Sequence, residues 1–129
     1  FMITGLYAAL LALFLFFLIA NIIAKRRFHK VALGDGGVES LSKAVRIHGN
    51  FIELVPILLF LMYLMEVQDT SRIFLHLYGA AILVSRLLHY CGLNMSSGTS
   101  FGRFWGTLLA LGLLLLGAIM NLYLYAVFF

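Results

Sequence analysis

A few polar side chains interrupt otherwise apolar stretches of this sequence, and their spacing is that of helix faces. Arg46, Asn50 and Glu53 stand at i, i+4 and i+7, which places all three on one side of an α-helix. Arg86 and His89 form a second helical pair at i, i+3, and Arg103 opens the last apolar run. A charged residue at the centre of a membrane-spanning helix costs roughly 2.5–3.5 kcal/mol, so such groups turn toward the bundle interior and pair with one another. Glu53 lies about 10 Å along the axis from Arg46, at ~1.5 Å per residue. It is therefore expected near Arg46 or Arg86, in a polar chamber toward the cytoplasmic side. Three arginines against one glutamate leave a surplus of cation, which suits an anionic ligand. The competing reading is a polar network that only orders helix packing.

These residues need elements of membrane-spanning length to hold them. Of the 129 residues 64% are hydrophobic and only 11% charged, against about 25% charged in soluble domains, and the mean hydropathy is +1.07. A chain this short could not hide so much apolar surface in water. The pattern predicts an all-α membrane protein, a four-helix transmembrane bundle with spans at about 3–25, 40–66, 70–92 and 102–128, and no stretch left for a separate soluble domain. The segment Lys25-Arg26-Arg27-Phe28-His29-Lys30 ends the first span, and the glycines of Gly34-Asp35-Gly36-Gly37 favour a turn. Ser40 is the expected N-cap of the second span, which must recruit its polar first half, Lys43 to Glu53, and contains Pro56 at an expected kink. Asp69 or Thr70 is expected to cap the third span, and residues 94–102 form the third connection.

Charge places the ends. Loop one carries Lys25, Arg26, Arg27 and Lys30, followed by Lys43 and Arg46. Loop three is flanked by Arg86 and Arg103, and loop two sets Arg72 against Glu66 and Asp69. Loops one and three are therefore expected in the cytoplasm and both termini outside. The net charge of +4 comes from these flanks, which suit anionic lipid headgroups. With no basic face interleaved with aromatics, nucleic acid is not an expected partner. The first run is too long for a signal-peptide core and is expected to remain in the mature protein.

The remaining candidates are weaker. Cys91, the only cysteine, is expected to be a packing residue just past a helix. His29 belongs to the solvated basic flank, His48 suits an interfacial or inter-subunit position, and His76 is expected to make one hydrogen bond. The four histidines lack metal-site spacing, so no metal is expected. Tyr123, Tyr125, Phe128 and Phe129 read as an aromatic belt, and Gly112 and Gly117 as points of close helix contact. Gly34 to Gly37 is not a phosphate loop, because no Lys-Ser/Thr follows.

The stretch Arg46-Ile47-His48-Gly49-Asn50-Phe51-Ile52-Glu53, followed by Pro56, resembles the signature of the MAPEG family, the membrane-associated proteins in eicosanoid and glutathione metabolism. The preceding Gly-Asp-Gly-Gly turn and the Arg86/His89 pair look like its bacterial branch, and the resemblance covers nearly the whole chain. It implies a single domain over 1–129 in a bacterial inner membrane, a homotrimer, and glutathione as co-substrate between neighbouring subunits, with a lipophilic small molecule as second substrate. By resemblance Arg46, Asn50 and Glu53 bind glutathione, Arg86 and His89 line the same site, Arg26 or Arg27 reaches in from the adjacent subunit, and Arg103 is the catalytic arginine facing the thiol. The chain departs from the family where the eukaryotic synthases carry a tyrosine and this chain has Leu93, with Tyr90 on another face. It departs again where the prostaglandin synthase has an arginine and Gly49 stands here.

The resemblance thus implies a glutathione transferase or a glutathione peroxidase-like enzyme. The sulfur attacks an electrophile arriving from the bilayer, activated by a nearby cation rather than by a covalent protein intermediate. The rivals are a non-catalytic lipid- or glutathione-binding protein of the same fold, and a small transporter or channel subunit, which the absence of discontinuous helices and repeats disfavours.

Overall fold

A computed structural model describes residues 2–95 and 101–127. Four helices follow in order: α1 (Ile3–His29), α2 (Glu39–Val67), α3 (Arg72–Met95) and α4 (Phe101–Val127). Each is long and apolar enough to cross a bilayer. The fold is the expected four-helix membrane bundle. α3 is the most enclosed helix and α1 the least. α3 packs most extensively on α4, α2 touches all three other helices, and among the described residues α1 and α4 do not meet.

The core is written as stripes of three- and four-residue steps. On α2 the buried residues are Leu41, Ala44, Ile47, Phe51, Val55, Leu58, Met62 and Met65. On α3 the stripe begins as Leu75, Tyr78 and Ile82 and continues without a break through Ser85, Arg86 and His89 to Leu93. The polar candidates of α3 therefore sit on its core-facing side. α4 answers with Gly106, Ala110, Leu113 and Gly117.

Glycines set the spacing of α3 and α4. A methyl added at Gly106 would lie 2.7 Å from the His89 backbone nitrogen and 2.8 Å from the Ser85 carbonyl oxygen, and one at Gly92 would lie 2.1 Å from the Arg103 nitrogen. Gly117 makes room for the Tyr78 hydroxyl, which donates to the Leu113 carbonyl at 2.7 Å. Gly112, by contrast, faces open space, so of the two glycines expected at close contacts only Gly117 is at one. Asn121 of α4 donates to the Leu61 carbonyl of α2 at 3.3 Å and to Gly117 at 2.8 Å.

Several boundaries differ from those expected. α1 runs on to His29, because Lys and Arg are good helix formers and cations favour a helix C-terminus. It ends where Lys30 turns left-handed at φ 56°. Val38, not Ser40, stands at the N-cap of α2. The Ser71 hydroxyl, not Asp69 or Thr70, accepts from the Phe74 nitrogen at the start of α3. Helix α2 is continuous through Pro56. The expected third connection falls largely at 96–100, outside the described residues. Gly34, Gly36 and Gly37 all have positive φ, and the Asp35 carboxylate accepts from the Gly37 nitrogen at 2.9 Å, giving the expected turn.

At the end of the bundle opposite the first loop, the Glu66 carboxylate accepts hydrogen bonds from the backbone nitrogens of Ile3 and Thr4. It caps α1 from another helix, where the free N–H groups and the helix dipole both favour a negative charge. His76 makes its expected hydrogen bond, through Nδ1 to the Tyr7 hydroxyl at 3.0 Å.

The glycine contacts give a paired prediction. Gly106→Ala should destabilise the detergent-solubilised protein by ~1–3 kcal/mol, because the helices must part to admit the methyl. Gly112→Ala, in open space, should be neutral or stabilise by up to ~1 kcal/mol through helix propensity. Thermal unfolding of the two variants checks the contrast, and equal effects would contradict the packing described.

Candidate functional site

The site is built where α2, α3 and α4 converge, toward the end that carries the first loop. Arg86 is 2% exposed and His89 5%, both held by the core-facing stripe of α3. The Arg86 guanidinium donates from Nη1 to the Asn50 side-chain oxygen of α2, from Nε to the Ser85 hydroxyl at 3.2 Å, and from Nη2 to the Gly106 carbonyl of α4 at 3.4 Å. One guanidinium thus ties three helices together. Each of these partners is a neutral oxygen. The ion pair found among the described residues, Lys43–Glu39 at 3.5 Å, lies elsewhere.

A desolvated cation with neutral partners is expensive: the penalty is several kcal/mol per ion, and hydrogen bonds to neutral oxygens recover only part of it. The charges of Arg86, Arg103 and Arg46 all act on His89, so three cations from three helices converge on one region. Such a cluster favours an anion.

Arg46, Asn50 and Glu53 do share the expected face of α2, but that face borders the seam instead of pointing into it. At about 100° per residue, Asn50 is turned about 100° from the buried Phe51, Arg46 about 140° and Glu53 about 160°. Asn50 is accordingly half-buried and reaches α3, while Arg46 and Glu53 are exposed on the protomer surface. Glu53, expected near Arg46 or Arg86 in a polar chamber, instead lies exposed on the protomer surface, and among the described residues it forms no ion pair with either arginine. The helix-face count was right, but it could not tell the centre of a packed stripe from its edge.

Arg103 is partly buried and lines a cleft of about 360 Å³ with Phe104, Thr107, Leu108 and Leu111. A cation at the mouth of an otherwise mainly apolar cleft is an arrangement for an amphiphilic or apolar molecule beside a charged group. Arg26 donates to the Gly34 carbonyl at 2.7 Å and the Val31 carbonyl at 3.4 Å. It braces the first loop of its own chain, whereas Arg27 is exposed. Tyr90 packs against Phe14 and Phe17 of α1, with ring centroids 5.9 and 5.8 Å away, and Leu93 is buried. Cys91, expected as a packing residue beyond a helix, instead lies within α3 and is exposed.

Sequence reasoning missed all three Arg86 partners: Asn50, which it had placed only on the ligand, Ser85 and the Gly106 carbonyl. The signal available was the small residue at Gly106, three positions after Arg103, where a close helix approach brings a backbone oxygen within reach.

A four-helix integral membrane protein with a buried arginine held by neutral partners from three helices is the class these observations define. Comparison with known proteins gives the family: the MAPEG family model matches residues 4–123, and the chain belongs to the MAPEG family. It is 40% identical over 93 residues to the inner membrane protein YecN of Escherichia coli K12, covering 72% of this chain and 71% of that protein. The same values hold for YecN of Escherichia coli O6:H1. No solved structure matches significantly.

The neutral shell around Arg86 predicts an asymmetric response in ligand-free protein. Asn50→Leu leaves a buried guanidinium nitrogen without its partner and should cost ~1–3 kcal/mol. Arg86→Met removes the charge itself and should cost less or even stabilise. In the double variant the Asn50→Leu penalty should largely vanish, a coupling that a stability cycle in detergent measures directly.

Proposed function

We propose that this chain is a glutathione-using enzyme of a bacterial inner membrane, working as a homotrimer, with the bound thiolate attacking a lipophilic electrophile. The observation that carries the reading is the buried Arg86, whose protein partners are all neutral. Glutathione supplies what such a site lacks: two carboxylates for the arginines, an ammonium for a carboxylate, and a thiol. Family membership and the likeness to an inner membrane protein support the setting.

In this reading the glutathione carboxylates pair with Arg86, Arg46 and an arginine from helix one of a neighbouring subunit. Arg27 fits that last role better than Arg26, which is engaged in its own loop. Asn50 spends its oxygen on Arg86 and keeps its amide N–H groups for the peptide backbone. Glu53 accepts the ligand's amino group. The exposure of Arg46 and Glu53 on the single protomer suits a site that a second copy closes. His89 lies within the field of the three arginines and shapes the wall. Arg103 faces the sulfur and the cleft beside it receives the apolar substrate.

A free thiol with pKa about 8.5 is mostly protonated at neutral pH, and a close cation lowers that value. Arg103 therefore raises the fraction of reactive thiolate. With 1-chloro-2,4-dinitrobenzene, the sulfur bonds to the ring carbon bearing chlorine as the carbon–chlorine bond breaks. Chloride leaves, and the thiol proton passes to water.

Purified protein should conjugate this substrate, and Arg103→Ala should lower the rate about tenfold for each unit by which the thiol pKa rises. Ultraviolet difference absorption should show thiolate forming when glutathione binds the unaltered protein. Binding without thiolate and without conjugation would leave the non-catalytic reading in place of this one.

A further inference from the structure

The two most exposed large apolar side chains lie at the end of α1 and in the first loop. They are Leu33 at 91% and Phe28 at 82%, and both stand among cations. Lys25, Arg27, His29 and Lys30 surround Phe28 at the end of α1, and Leu33 follows in the loop. The nearby carboxylates are otherwise engaged: Asp35 accepts from Gly37 and Glu39 pairs with Lys43. Among the described residues no ion pair neutralises Lys25, Arg27 or Lys30.

The segment is also held in shape. Arg26 donates to the Gly34 and Val31 carbonyls, the Val31 nitrogen bonds back to the Arg26 carbonyl at 3.0 Å, and Lys30 takes the left-handed turn between them. Helix α1 has 27 residues, or about 40 Å at ~1.5 Å per residue, against a hydrocarbon layer of about 30 Å. Its last turns therefore stand in the headgroup layer. There, an apolar side chain reaches the acyl boundary while neighbouring cations meet phosphate.

We propose that the end of α1 and the first loop form a docking surface for anionic phospholipid headgroups, with Phe28 and Leu33 entering the interfacial layer and Lys25 and Lys30 on the phosphates. Arg26 is the brace that presents this surface and takes no part in the headgroup contact. The surface works for whichever leaflet the loop faces, and it does not depend on glutathione.

The test uses nanodiscs and a fluorophore at the docking position, Phe28→Trp in a Trp105→Phe background. Brominated phosphatidylglycerol should quench this fluorophore more strongly than brominated phosphatidylcholine at the same fraction. The preference should fall by up to about fivefold for each cation removed in Lys25→Gln and Lys30→Gln, and it should shrink in about 1 M salt, where screening acts within about 3 Å. Spin-labelled phosphatidylglycerol should show the same selectivity on the unaltered protein, independent of any folding defect in the variants. Equal quenching by the two lipids would overturn the proposal. So would quenching by neither, which would place position 28 in water or under another protein chain.

Discussion

Arg86 carries a charge into the interior of the bundle and finds there, among the described residues, an asparagine oxygen, a serine hydroxyl and a backbone carbonyl. A desolvated guanidinium with neutral partners keeps most of its electrostatic cost. The chain accepts that cost at the point where three helices meet, beside two further arginines whose charges reach the same histidine. Much of the local design follows from holding this group still. Its side chain leaves the core-facing stripe of α3, in line with the buried Ile82 and His89, so it cannot swing to lipid without giving up its partners on α2 and α4. Gly106 must stay side-chain-free for its carbonyl to approach.

The opposite end of the bundle solves its electrostatics in the reverse manner. There a carboxylate, Glu66, meets the free N–H groups that begin α1, and the negative charge sits where the helix dipole favours it. Tyr7 and His76 add a further hydrogen bond between α1 and α3 at that end. The contrast separates a structural use of buried polarity from one that leaves charge unmatched. It is the unmatched end that holds the residues of the family signature.

The sequence made the architecture legible because the spans are written in plain composition: long apolar runs broken by basic and glycine-rich segments. That Arg86 turns inward was legible too, since charges at membrane depth avoid lipid, but its partner on α2 is Asn50 where Glu53 was expected. It was less informative about degree. Arg46, Asn50 and Glu53 share a helix face by spacing, yet only Asn50 is near enough to the seam to reach α3, and a difference of some 40–60° around the helix decides that. Close contacts were equally hard to read, because a glycine's role depends on what lies opposite it: Gly117 meets a tyrosine hydroxyl, and Gly112 meets nothing. Caps slipped by one or two positions, as expected where several polar residues compete for one helix end.

The account stands on the claim that Arg86 is the anchor for an acidic ligand, and calorimetry of glutathione with the detergent-purified trimer or protomer tests it most directly. The unaltered protein should bind with measurable heat. Arg86→Met, while keeping its helical structure, should bind at least tenfold more weakly, since a charge-assisted hydrogen bond is worth about 1.5–3 kcal/mol. Undiminished affinity in Arg86→Met, or a folded unaltered protein that takes up no glutathione, would contradict the account.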